Sequence, residues 1–443
     1  MVIRTFSNMK YSMNIEKDKL TFLKNLTEDV VNESRILPGQ ELKEIIQTPV
    51  RKNTTGITLI RPGGRNCYPG FWIRDFAMSL ESGFIAADEI KGMLLLTAEC
   101  QNAPEPKYLD TGAIIPPFAI PDHILLNGEP SFFPGTYSTG SDQGGEMWGY
   151  QPPLDNNYYF IEMAYYYLKI TQDKSIFQEE INGISLLERL HKAFSVPPCD
   201  EKTGIVMTTD KDRGVNFGFY DAVYQTGYLL FASLLRFMAS VCMKTICENL
   251  SEINKAKQYQ EEADKIKKNI AEVFATPSGW LNATTGICRQ HDVWGTSYAI
   301  YIDAIEGDVK KNALHAIKDA YRSGVMCYRG NVRQILTTEN YGKASAWERA
   351  LPPLNRYQNG AYWGTASGWV FYALYQSDKK SFVKIVNEYV DELIEGDYRK
   401  GKEYGSPWEC FHPDGDWKQN PVYMTSVTLP FAALKRIGFH KIK

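Results

Sequence analysis

An all-α toroid of six helical hairpins, an (α/α)6 double ring of inner and outer helices, is the fold class the sequence predicts. Three observations lead there. Helical periodicity recurs twelve times along the chain. The even-numbered segments are apolar on nearly every face, whereas the odd ones keep a charged face. The long loops fall almost entirely before the even segments. An inner ring enclosed by protein and an outer ring with one wet side require that alternation.

Periodicity and stop signals place the helices near residues 16–34, 72–87, 88–103, 155–172, 174–195, 222–248, 253–275, 292–305, 308–324, 363–376, 379–396 and 422–437. "AVYQTGYLLFASLLRFMA" and "WGTASGWVFYALY" read as inner helices, and "INKAKQYQEEADKIKKNIAEVF" as an outer one. Runs with strand alternation are few and short. Because helix direction alternates around the ring, the inner helices all start on one face, where their free N–H groups meet the long loops 104–154 and 196–221. That mouth is the expected site.

Composition bounds the rest. The chain has 443 residues, 44% hydrophobic, with a formal net charge of −3, so it can bury a large core and has no electrostatic bias toward nucleic acid. No Pro/Ser-rich linker divides it, so a single (α/α)6 domain is expected over 1–443, with 1–15 as an N-terminal extension. No apolar run approaches the roughly 20 residues of a membrane helix. The N-terminus lacks the apolar centre of a signal peptide. The expectation is a soluble protein without a membrane partner, cytoplasmic, or periplasmic or secreted if an export signal has been removed. The eight cysteines show no CxxC spacing and read as buried free thiols.

At the six inner-helix starts stand "GFWIRDFAMS", "MWGYQPPLDNNYYF", "VNFGFYDAVYQTGY", "RQHDVWGTSYA", "RYQNGAYWGTASGW" and "GSPWECFHPDGDW". Each joins aromatics to carboxylates or amides. Indole and phenol faces cover the apolar side of a pyranose, while Asp, Asn, Gln and Arg bind its hydroxyls. An aspartate at such a place is also a favoured N-cap, contributing about 1 kcal/mol. Capping accounts for Asp155, Asp221 or Asp292 singly; it does not account for Trp72, Trp148, Trp294, Trp363 and Trp408 recurring beside them. An oligosaccharide or glycoside is therefore the expected partner.

"FWIRDFAMSLESG", "DVWGTSYAIYI", "YQNGAYWGTASGW" and "PWECFHPDGD" followed by "YMTSVTLP" resemble the motifs of the six-hairpin glycosidases, the superfamily of glucoamylase, trehalase and mannosyl-oligosaccharide glucosidase. The likeness covers roughly residues 60–437. It implies an inverting glycoside hydrolase, exo-acting on a terminal α-linked sugar, with no cofactor and no metal. It also implies that Arg74 and Asp75 hold the terminal sugar, that Glu409 is the general base with Glu403 in reserve, and that Asp221 is the general acid with Asp155 and Asp292 as competitors. Phe217, Phe219 and Tyr220 would raise the Asp221 pKa by desolvation. Trp72, Trp148, Asp155, Asn156, Asp292, Trp294, Gln358, Asn359, Trp363 and Trp408 complete the expected substrate-binding set.

Three rivals use the same ring. A sugar epimerase would work through His291 and His412. A uronic-acid lyase or unsaturated-uronyl hydrolase would draw on Arg213, Arg289, Arg329 and Arg333. A glycan-binding protein would have lost the chemistry. His123, His291 and His412 have no metal-ligand spacing.

Overall fold

The computed structural model describes residues 15–439 apart from 44–47, 49, 137–138, 140–142, 146–147, 211–218 and 416. Residues 1–14, nearly all of the expected extension, lie outside the described set, as do Arg213 and Phe217.

Twelve α-helices are present among the described residues: α1 (Lys17–Glu33), α2 (Ile73–Ser79), α3 (Ala87–Glu99), α4 (Asn156–Thr171), α5 (Leu186–Ser195), α6 (Leu230–Asn249), α7 (Ile253–Phe274), α8 (Val293–Tyr301), α9 (Gly307–Ser323), α10 (Ser367–Ser377), α11 (Lys379–Gly396) and α12 (Thr425–Ile437). The even helices pack in succession, α2 on α4, α4 on α6, α6 on α8, α8 on α10 and α10 on α12, and α12 closes the ring against α2. The odd helices lie outside, each against inner neighbours, with α1 on α11 and α12. The predicted toroid is the observed fold.

Burial follows the chemistry of each segment. Every residue of α8 is buried, from Val293 to Tyr301, as befits a helix without a polar stripe. In α7 only Ala256, Tyr259, Ala263, Ile266, Ile270 and Phe274 are buried, one stripe at helical spacing. The sequence expectation that no segment is apolar enough for a membrane helix needs correction: Leu230–Asn249 passes by length and composition, with a mean hydropathy of 1.5. Its apolar window is 83% buried inside the ring, so protein rather than lipid covers it.

Several helix boundaries also differ. The expected 222–248 helix begins only at Leu230, because residues 219–222 turn and Gly227–Tyr228 pairs with Met207–Thr208. The segment 174–195 starts as a 3-10 turn and a two-stranded ribbon before α5. In place of helix starts at 363 and 422, short strands precede α10 and α12. They belong to a five-stranded antiparallel sheet that sequence periodicity did not reveal. A smaller sheet joins β1 (Gly70–Trp72), β2 (His123–Leu125) and β3 (Pro130–Ser131). The five-stranded sheet runs β4 (Cys327–Tyr328), β5 (Asn331–Arg333), β6 (Tyr362–Trp363), β7 (Trp408–Phe411) and β8 (Lys418–Pro421) in sequence order. Both sheets are built from segments leading into inner helices, and both carry residues of the site. The described cysteines are all free, and six of the eight are buried.

Candidate active site

A cavity of about 710 Å3 opens where the inner helices start. Its wall comes from the segments before α2, α4, α6, α10 and α12: Tyr68, Trp72, Arg74 and Asp75; Pro134 and Trp148; Phe219 and Asp221; Leu351 and Tyr357; Glu409, Gln419, Asn420 and Tyr423. The volume lies within the roughly 300–1,000 Å3 of small-ligand sites.

Glu409 sits in β7, whose neighbour β8 runs antiparallel to it with Cys410 opposite Gln419 and Trp408 opposite Pro421. That hairpin delivers two amides to one carboxyl. Gln419 Nε2 donates to Glu409 Oε2 at 3.1 Å, Asn420 Nδ2 to the same oxygen at 2.7 Å, and the Tyr68 hydroxyl to Oε1 at 3.1 Å. Asn420 reaches its position at φ 44°, a left-handed conformation asparagine tolerates better than most residues. Glu409 is 1% exposed, and burial lifts its pKa to about 8. The Asn420 and Tyr68 bonds pull it down, while Asp75 and Asp221 push it up.

Asp221 lies in a loop, yet four residues fix that loop. Gln358 donates through Nε2 to Asp221 Oδ1 and accepts the Ala222 N–H at 2.6 Å. The Tyr220 hydroxyl donates to Asp292 at 2.5 Å, Gln334 donates to the Phe219 carbonyl, and the Leu351 N–H donates to the Ala222 carbonyl at 2.9 Å. Asp221 thus faces the cavity from a pinned backbone. Burial raises its pKa to about 7, against the pull of Arg74.

Arg74 occupies the first turn of α2. Its Nε donates to Asp155 Oδ2 at 2.8 Å, its Nη2 to Asp155 Oδ1 at 3.3 Å, and its Nη2 also lies 3.5 Å from Asp122 Oδ1. Asp122 in turn holds His123 Nδ1 at 2.8 Å. In the β1–β2 register Trp72 stands opposite His123, and their rings stack at 4.0 Å. Asp75 accepts the Tyr423 hydroxyl at 2.6 Å, and burial lifts its pKa to about 6. A chain of contacts therefore runs from the indole through His123 and Asp122 to Arg74.

No family model matches the chain, and no curated protein matches it by sequence. Solved structures do match. A wild-type glycosidase superposes with a TM-score of 0.52 at 11% identity, covering 95% of this chain and 98% of that one. The GH63 mannosylglycerate hydrolase from Thermus thermophilus, in complex with glucose, gives 0.56 at 11% identity over 93% of this chain and 99% of its own. A GH78 rhamnosidase of Bacillus sp. GL1 gives 0.54 at 9% identity over 95% of this chain, which spans 35% of that longer protein. The fold is the one that these solved glycosidases share.

Within this toroid the sequence-predicted residues fall into two groups. Trp72, Arg74, Asp75, Trp148, Asp221 and Glu409 line the cavity. The others stand behind or away from it. Asp155 is buried against Arg74, and beside it Asn156 is buried with its amide atoms unpartnered. Gln358 is 1% exposed and holds Asp221. Asn359 accepts the Ala346 N–H and donates to the Pro352 carbonyl, tying the 345–359 loop. Asp292 caps α8 by accepting the Gly295 N–H at 2.7 Å. Trp294 and Trp363 are fully buried and packed edge to face on each other and on Phe219. Trp408 packs beside Gly405, with Lys418 over its ring.

None of the rival residues lines the cavity among the described residues. His291 pairs with Glu339 at 2.9 Å and His412 lies against Tyr362. Arg289 donates to the Gly286 carbonyl, Arg329 to Glu395 and Arg333 to the Gly360 carbonyl. Glu403 is exposed. Tyr68, Tyr357, Tyr423, Gln419 and Asn420 are wall residues that the sequence reading missed. A turn signal was available for two of them: "WECF" and "KQNP" flank "HPDGDW", the pattern of a β-hairpin. A second hollow, of about 690 Å3, lies at the opposite end of the ring among Glu162, Tyr166, Tyr298 and Arg436, and contains none of the predicted site residues.

Proposed function

We propose that this chain is a glycoside hydrolase acting by inversion, with Asp221 as general acid and Glu409 as general base. The observation that carries the reading is the pair of carboxyls, Glu409 buried and Asp221 partly buried, that come from separate segments of the chain and face one aromatic-lined cavity. Inversion needs one carboxylic acid to protonate the leaving oxygen and one carboxylate to deprotonate water on the other face of the sugar, about 6.5–9.5 Å apart. Three donors favour the ionised form of Glu409, while among the described residues Asp221 accepts from Gln358. Burial gives Glu409 the higher pKa of the two, about 8 against about 7 for Asp221, so the reading requires the shared proton to stand on Asp221 once substrate is bound, with the three donors at Glu409 holding the charge.

Trp72, Trp148 and Tyr68 offer faces to the sugar ring, and Arg74 with Asp75 offers a donor and an acceptor for the hydroxyls of a terminal residue. Asp155, Asn156, Asp292, Gln358, Asn359, Trp294, Trp363 and Trp408 act in this reading as support for that wall rather than as contacts to substrate. Exo action on an α-linked residue follows the analogy with the superfamily. The solved relatives named for mannosylglycerate and for rhamnosides support a glycosidic substrate.

The test is a panel of aryl α- and β-glycosides with product anomers followed by NMR. Inversion is the expected result, and retained configuration refutes the water mechanism. Asp221→Asn and Glu409→Gln are each expected to lower kcat by about 10²–10⁴-fold with little change in KM.

A further inference from the structure

We infer that the cavity selects uncharged or amino-bearing sugars and rejects carboxylate-bearing ones; this rests on the hydrolase reading above and names its substrate class. The argument is one of charge. Among the described residues lining the cavity, the carboxyls are Asp75, Asp221 and Glu409, and Arg74 is the lone guanidinium or ammonium group. That one cation is already matched: Asp155 takes two of its N–H groups, and Asp122 lies within ion-pair distance of Nη2. Both partners are at most 1% exposed. Even with a proton on Asp221, four other carboxyls, Asp75 and Glu409 on the wall and Asp122 and Asp155 behind it, stand against one guanidinium.

A sugar carboxylate entering this wall would meet like charge with no spare cation among the described lining residues to offset it. At separations of a few ångströms in a partly dry site such repulsion is worth more than the tenfold step of about 1.4 kcal/mol. A pyranose hydroxyl meets the opposite situation, since Asp75, Asp221 and Glu409 all present acceptor oxygens to it. An ammonium group gains by the same reasoning.

The probes are glucose, glucosamine and glucuronate, which share one ring and differ in charge, titrated calorimetrically into the wild-type protein at low and high salt. Glucose and glucosamine are expected to bind at least about tenfold more tightly than glucuronate, with the gap narrowing as salt rises. Equal binding, no ranking, or a preference for glucuronate overturns the inference. Leu351→Arg adds a cation to the wall beside Ala222. It is expected to shift the glucuronate-to-glucose ratio upward by about tenfold, and an unchanged ratio in a folded variant counts against the charge argument. Turnover of p-nitrophenyl glucosides and glucuronides separates the two readings. Faster cleavage of the glucuronides sinks the charge selection and leaves the hydrolase standing. Charge-ranked binding with no cleavage of any glycoside in the wider panel sinks the hydrolase instead.

Discussion

At the scale of single residues the site is governed by desolvation. Asp221 and Glu409 both titrate above ordinary carboxyls, at about 7 and about 8, and interact with each other. Their titration belongs to the pair. Below that window both are protonated and water activation is lost; above it both are ionised and no proton donor remains. A bell-shaped kcat/KM profile centred near neutrality is expected, well above the acidic range that isolated carboxyls near pKa 4 would give, and a pH–rate series checks it. Stability carries the same sign. A carboxyl whose folded pKa is raised contributes stability below its unfolded pKa, and that contribution is lost as pH rises through about 8. Glu409→Gln, which cannot ionise, should therefore raise Tm relative to wild type at pH 9, with the advantage shrinking by pH 5. Thermal melts at the two pH values decide it.

At the scale of elements, helices were legible and short strands were not. Long periodic segments such as α7 and α11 appear at the residues their pattern indicated, because a stripe of apolar side chains at helical spacing has one way to be buried. Two- to four-residue strands carry no such pattern, and Gln419, Asn420, Tyr357 and Tyr68 stand on or beside irregular backbone. The recurring tryptophans were readable as a group but not individually. Trp72 and Trp148 face the cavity while Trp294 and Trp363 turn inward, a choice made by packing around helices that are apolar on all sides. Asp292 shows two roles on one side chain, capping α8 and anchoring Tyr220 next to Asp221. Asp292→Ala is expected to lose about 1–3 kcal/mol from the cap and the orphaned hydroxyl. Through Tyr220 it should also lower kcat, whereas the loss of a cap alone would lower only Tm. Denaturant melts and kinetics on the same variant separate these.

At the scale of the whole molecule, the ring puts distant parts of the chain side by side. Thr27 in α1 reaches the Val427 carbonyl in α12 at 3.5 Å, Tyr68 bonds Glu409, and Tyr423 bonds Asp75. The site is therefore a property of closure. A chain ending before Thr425 keeps both carboxyls but lacks the helix that seats α1 and α2. It is expected to lose cooperative melting and activity together, as circular dichroism and turnover measured in parallel will reveal. The sequence pattern foretold a ring; it held no register for which loop would meet which, since those pairings are set only once the hairpins have been arranged around a common centre.

The meeting of α1 with α12 has a consequence in time. A ribosome releases Arg74, Asp75 and Asp221 long before Glu409 and its hairpin, so the half-made protein presents one wall of the cavity with nothing facing it, and α1 waits for a partner about 400 residues downstream. Contacts of such separation form slowly, and the newborn chain must keep its apolar inner helices from strangers during that interval. The cavity can therefore be complete only after the last hairpin and α12 have emerged.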